Sequence, residues 1–192
     1  MMDNNLKQFH KLSDRHVLVV ETDMPYSDVM KMVTLSDKIR KAGNELIGVM
    51  RKNYTQLLRT KRYRKLLKLY GKTQDKDKRK NFAKQLNEMQ SEYNLTKNLC
   101  EKAMIPIYKK YGINSMFAST KADDVWRGIE KCLYGNGKII HFSKYGDLPC
   151  IRAKRIKQGI MVFVKDEKLQ FKLDKTIFGI QIKDRFQQDE VN

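Results

Sequence analysis

The stretch SDVMKMVTLSDKIRKAGNELIGVMRKNYTQL, Ser27 to Leu57, decides how the chain folds. Met32, Leu35, Ile39, Ala42, Leu46, Val49, Met50, Tyr54 and Leu57 recur mostly three or four residues apart, which lines one face of a helix roughly eight turns long. Just upstream the pattern is different. In HVLVVETD, His16 to Asp23, the run Val17, Leu18, Val19, Val20 sits between charged and turn residues and reads as a short strand that Pro25 stops.

Downstream the helical period continues. A second helix is predicted from about Thr60 to Tyr70, with Tyr63, Leu66, Leu67 and Tyr70 inward and Gly71 placed to cap its end. After a loop from Lys72 to Asp77, a third runs from about Lys78 to Tyr93 on Phe82, Leu86, Met89 and Tyr93. Leu95 to Tyr111 forms a fourth, on Leu99, Ala103, Ile107 and Tyr111, which Pro106 should kink or end because it removes a backbone donor. Ser119 or Thr120 begins the last helix, placing Asp123 and Asp124 in its favourable first turn. Its buried side is Val125, Trp126, Ile129 and Leu133, and Gly135-Asn136-Gly137 ends it.

Beyond Gly137 the period falls to two. Lys138 to Phe142, Ile151 to Ile156, Ile160 to Val164, Leu169 to Leu173 and Ile177 to Ile182 read as short strands, with Asp166-Glu167 and Asp174-Lys175 as tight connections. Ile160, Val162 and Val164 alternate with Met161 and Phe163, so both faces carry apolar side chains, which suits a small barrel. The expected fold is α+β: a split β-barrel interrupted by an all-α insertion of about a hundred residues. The boundaries are 1–24 for the N-terminal segment and first barrel strand, 25–136 for the helical lobe, 137–185 for the remaining strands and 186–192 for the start of a following segment.

The 192 residues carry 40 Lys and Arg against 22 Asp and Glu, a formal net charge of +18. The surplus is concentrated: Arg51, Lys52, Arg59, Lys61, Arg62, Arg64, Lys65, Lys68, Lys72, Lys76, Lys78, Arg79 and Lys80 are opposed in their stretch only by Asp75 and Asp77. Such a field repels itself unless a polyanion lies on it. Anionic lipid would meet that need, but the apolar stripe is narrow for a membrane-surface helix. The N-terminus lacks the apolar run of a secretory signal, and eighteen apolar residues nowhere follow one another, so a soluble, cytoplasmic protein without a membrane partner is expected. Cys100, Cys132 and Cys150 are odd in number and widely spaced, which fits reduced, buried thiols better than disulfides or a zinc site.

Nothing in the residues points to catalysis or to a cofactor. His10, His16 and His141 are scattered outside any metal-ligand or nucleophile spacing, no phosphate-binding glycine motif occurs, and Asp23 is the nearest approach to a strand-end carboxylate. The basic run is the stronger signal. Acids are absent from Arg51 to Arg64, and Asn53, Tyr54, Gln56, Thr60, Tyr63 and Tyr70 are interleaved with the cations. Cations hold phosphates, whereas Tyr, Asn and Gln stack on bases or read their edges; the tyrosines also fall at core spacing, so both roles stay open for them. A second cluster, Lys144, Arg152, Lys154, Arg155 and Lys157, lies at the start of the C-terminal strands. Two separate cationic surfaces suit a groove for structured RNA or an RNA–DNA hybrid.

Several segments resemble the TnpB (OrfB) proteins of insertion sequences, RNA-guided DNA endonucleases related to the type V CRISPR effectors. Ile39-Arg40-Lys41-Ala42-Gly43-Asn44-Glu45-Leu46 with Tyr54 is similar to the family's first long helix, which carries an Asn in that context. Lys121 to Lys131, KADDVWRGIEK, resembles a later helix. Gly146 to Lys154, GDLPCIRAK, resembles its Gly-x-Pro-x-(aromatic)-Lys strand, with Ile151 or Arg152 in the aromatic place, and Phe178 to Lys183 is similar to the strand closing the wedge domain.

The resemblance spans about Val17 to Arg185 and implies a wedge-like barrel plus a helical recognition lobe that grip guide RNA and the double-stranded DNA next to the target. It also implies a RuvC nuclease domain with three metal-binding acids and a C-x-x-C zinc element, neither of which this sequence contains, so the chain looks like the N-terminal half of such a nuclease and is not expected to be an enzyme. The nuclease domain would then belong to a full-length protein or a separate chain. The expected function is a non-catalytic nucleic-acid-binding module. The phosphate-facing set is Arg51, Lys52, Arg59, Lys61, Arg62, Arg64, Lys65, Lys68, Lys144, Arg152, Lys154, Arg155 and Lys157, and the base-facing set is Asn44, Asn53, Tyr54 and Gln56. The alternative is a regulator that inhibits a related nuclease by sequestering protein or RNA.

Overall fold

The computed structural model describes residues 22–135, 137–152, 159–166, 168–179 and 181–182. Among them the chain is α+β: β1 (Thr22–Asp23), five helices, then β2 (Ile160–Lys165), β3 (Lys168–Leu173), β4 (Thr176–Gly179) and β5 (Gln181–Ile182). Helix α1, Tyr26–Arg59, is 34 residues long, roughly 50 Å at the usual rise. Pro25 stands at its N-cap and Thr60, extended at ψ 117°, ends it. Ile39, Ala42, Leu46, Ile47, Met50 and Leu57 form its buried stripe, each large apolar side chain contributing about 1.5–3 kcal/mol on full burial.

α4 (Lys97–Tyr111) and α5 (Ser115–Tyr134) pack against α1 and each other as a three-helix core built on Cys100, Met104, Ile107, Phe117, Val125 and Ile129. α2 (Lys61–Lys72) and α3 (Lys76–Glu92) pair as an antiparallel hairpin. Its buried residues include Tyr63, Leu66, Leu86 and Met89, the Gln90 Nε2 amide donates to Tyr63 Oη at 3.3 Å, and Tyr134 Oη of α5 donates to Gln90 Oε1 at 2.5 Å, tying the hairpin to α5.

Side-chain caps set the helix starts. Asp75 accepts from the backbone N–H groups of Asp77 and Lys78, Thr96 from Leu99, and Asn114 from Met116. The Asn114 cap corrects the expected start of the last helix: α5 begins at Ser115, so Asp123 and Asp124 lie in its interior rather than its first turn. Gly71 lies inside α2, and Thr73 ends that helix. Pro106 does not end α4, which runs on to Tyr111; Pro106 and Lys102, whose carbonyl loses its donor, are both exposed residues.

β1 pairs antiparallel with β5, Thr22 opposite Ile182, so the strand before the helices joins the last strand after them. β2, β3 and β4 form a separate antiparallel meander with turns at Asp166 and Asp174, both at positive φ. Leu173 and Phe178 are buried against the helices, while Val162 and Val164, on the same face, remain 58% and 64% exposed. Among the described residues this three-stranded sheet is therefore open rather than closed into a barrel.

Among the described residues Lys138 to Phe142, expected as a strand, pairs with no strand, and neither do Ile151 and Arg152; 153–158 lie outside those residues. Instead, residues 137–152 form an extended strap laid antiparallel along α1 and against α5. Asn44 Nδ2 donates to the Ser143 carbonyl and Ser143 N–H donates to Asn44 Oδ1, both at 2.9 Å. Ser36 Oγ donates to the Pro149 carbonyl at 3.0 Å, and Ile140 packs over Gly128 of α5. Side chains of α1 take the place of a neighbouring strand.

Candidate nucleic-acid interface

Helix α2 contains no acid. Tyr63 and Leu66 are buried and Tyr70 is half-buried. At about 100° per residue, Lys61, Arg64, Lys65, Lys68 and Lys72 then fall within a roughly 100° arc on the opposite side. All five are exposed, and none makes an ion pair or side-chain hydrogen bond among the described residues. Arg62 is exposed on the flank of this stripe. On α3, Lys76, Lys80 and Lys84 are exposed at four-residue intervals, so they share one face. Where the two helices meet, Arg79 lies over the Tyr70 ring at 4.8 Å and Lys78 pairs with Asp75 at 3.5 Å. The hairpin is a cationic arm with its own apolar seam.

On α1, Lys52, Gln56 and Arg59 are exposed at helical spacing on one face, and Asn53 is half-buried. The other base-facing candidates serve the fold. Asn44 has both ends of its amide on Ser143, and Tyr54 Oη donates to the Cys132 carbonyl at 3.0 Å, tying α1 to α5. Burial raises the Tyr54 and Tyr63 pKa values by disfavouring the phenolates.

The second cluster is divided. Lys144 is exposed, while the Arg152 guanidinium makes two 2.6 Å hydrogen bonds to the Asp124 carboxylate, so its charge is already offset. Lys154, Arg155 and Lys157 lie outside the described residues. Arg51 stacks over the Phe142 ring at 4.9 Å, which links the basic end of α1 to the strap.

Every acid of α1 has a cationic partner. Asp28 meets Lys31, Asp37 meets Lys41 and Arg40, and Glu45 accepts from Lys110 and from the Tyr111 hydroxyl. The Lys41 hydrogen bond, then that from Arg40, holds the Asp37 carboxyl below its ordinary pKa; Lys110, then Tyr111, does the same for Glu45. These acids neutralise cations of α1 and α4, and none of them pairs with the α2 stripe. No group of three His, Cys, Asp or Glu side chains suited to a metal ion occurs among the described residues, and no described helix is long and apolar enough to cross a membrane.

Sequence reasoning left Lys72, Lys76, Lys80 and Lys84 out of the phosphate-facing set, although the first three stand in the basic run, and it singled out neither Phe142 nor Tyr145. The four-residue spacing of Lys72, Lys76, Lys80 and Lys84 was the available signal for the first group. No protein-family model, curated protein or solved structure matches the chain.

Proposed function

We propose that this chain is a non-catalytic nucleic-acid-binding module whose α2–α3 arm lies along a phosphate backbone, as in the RNA- and DNA-gripping half of a TnpB-like RNA-guided nuclease. The observation that carries the reading is the stripe of Lys61, Arg64, Lys65, Lys68 and Lys72, exposed and without a counter-anion among the described residues, on the side of α2 opposite Tyr63 and Leu66. A solubilising surface interleaves acids with its cations; this one does not. The pairing of β1 with β5 around the helices is compatible with a wedge-like region split by a recognition lobe. In this role the chain binds and orients structured RNA and adjoining duplex DNA, and a nuclease domain elsewhere performs cleavage.

The test replaces Lys61, Arg62, Arg64, Lys65 and Lys68 together with Gln and measures binding to RNA and duplex DNA across salt. Binding weakens across sequences, and the slope of log affinity against log salt falls by about 0.7–0.9 for each phosphate that the variant no longer neutralises. In a second arm, Asp124→Asn frees Arg152 and strengthens binding. Unchanged affinity of the Gln variant at low salt rejects the reading.

A further inference from the structure

The strap has a period of three that neither helix nor strand explains. It reads KII, HFS, KYG, DLP from Lys138 to Pro149. In the first, second and fourth triplets the third residue is the less exposed one and touches the helices: Ile140 on Gly128, Ser143 on Asn44, and Pro149 through its carbonyl on Ser36. The second residue of every triplet, Ile139, Phe142, Tyr145 and Leu148, is an exposed large apolar side chain. Lys138, His141 and Lys144 precede the first three of them and are exposed.

A single exposed tyrosine is ordinary on a protein surface. Tyr145 is more than that: it is 91% exposed at the tip of a built turn, and Phe142 is 47% exposed one triplet before it. Asp147 N–H donates to the Lys144 carbonyl at 3.2 Å, Lys144 N–H donates to Asp147 Oδ2 at 2.8 Å, and Gly146 supplies the positive φ of 86° that the turn requires. Beneath the ring, the Arg40 guanidinium lies 5.7 Å from its centroid, itself buried and held by Asp37 at 2.7 and 2.9 Å. Arg51 sits over Phe142 in the same way. Each ring is backed by a cation.

We infer that the strap is a track for an unpaired nucleic-acid strand, with splayed bases stacking on Phe142 and Tyr145 while Lys138 and Lys144 meet its phosphates. Spacing decides against duplex: three extended residues span at most about 11 Å, whereas stacked bases along one strand are about 3.4 Å apart. Neighbouring stacked bases cannot both reach the rings, but bases of an unpaired loop or single strand can. Charge is complementary, since the one acid of the strap, Asp147, is engaged by the Lys144 N–H.

The inference rests on the nucleic-acid reading above, and the experiment separates the two. Native protein, Tyr145→Ala, Tyr145→Phe and the five-fold Gln variant of the arm are titrated with a short oligo(dT) strand and with a mixed-sequence duplex of equal length. Tyr145 is almost wholly exposed, so its replacement leaves the fold intact. Tyr145→Ala weakens oligo(dT) binding by roughly tenfold and leaves duplex binding unchanged, and Tyr145→Phe retains both. Equal loss on both probes, or no loss on oligo(dT), overturns the track while the Gln variant still decides the arm. Failure of native protein to bind either probe overturns both.

Discussion

Asn44 and Ser143 are joined by two reciprocal hydrogen bonds of 2.9 Å, in which a helix side chain supplies both the donor and the acceptor that a neighbouring strand would supply. This pair fixes the register of the strap on α1: Phe142 comes to Arg51, Tyr145 to Arg40 and the Pro149 carbonyl to Ser36.

Asn44→Ala leaves the Ser143 N–H and C=O without their partners in a half-buried position. A loss of about 1–3 kcal/mol is expected, or about 2–4 °C in Tm per kcal/mol for a chain of this size. Asn44→Asp keeps the acceptor, loses the donor and falls between. Limited trypsin digestion should cut the Ala variant at Lys138 and Lys144 before the native protein. A thermal midpoint and digestion pattern equal to native would show that the strap is held by other contacts.

Alkaline stability follows from buried acids that keep their protons. Burial pushes the Cys100 thiol up to about 12 and raises Tyr54 and Tyr63 in the same direction. A folded-state pKa above the unfolded value means that the unfolded chain sheds its proton first, so stability is complete below the unfolded pKa and declines as pH rises. The decline starts near the ordinary thiol value of about 8.5 and steepens near the phenol value of about 10. Each group contributes at most about 1.4 kcal/mol per pH unit. Lys121, whose pKa burial lowers, opposes the trend. Urea midpoints from about pH 8 to 11 should fall, and Cys100→Ala should flatten the first part of the curve even though it lowers the baseline; an unchanged slope in that variant would remove the thiol from this account.

The helices were legible because the 3.6-residue period of Met32, Leu35, Ile39, Ala42 and Leu46 persists through α1 and its equivalents through α2 to α4. Starts were less so: Ser119 and Thr120 are good caps by type, but Asn114 reaches the Met116 N–H first. The strap was misread because apolar residues in Lys138 to Phe142 suggested alternation, while its partners are side chains about a hundred positions away in sequence. That separation also hid the roles of Asn44 and Tyr54. An amide or a phenol beside the apolar stripe reads equally as a base reader or a tether, and only the arrival of Ser143 and Cys132 decides. The α2 cations were legible for the opposite reason: a helix without acids has nothing local to neutralise them.

Gly43 offers a test of close packing between α1 and α5. A Cβ at this buried helical position would fall on the aliphatic stem of Lys121, whose carbons cross directly over it from α5. Glycine in a helix interior costs about 0.5–1 kcal/mol relative to alanine, so the backbone alone favours replacement. Overpacking of a filled site costs about 1–3 kcal/mol, which exceeds that gain. Gly43→Ala should therefore destabilise the native protein by about 1 kcal/mol. In a Lys121→Ala background the obstructing stem is gone, and the same change should stabilise by about 0.5–1 kcal/mol. A double-mutant cycle by thermal unfolding reads the reversal of sign; the same sign in both backgrounds would mean that Lys121 is not what requires glycine at this position.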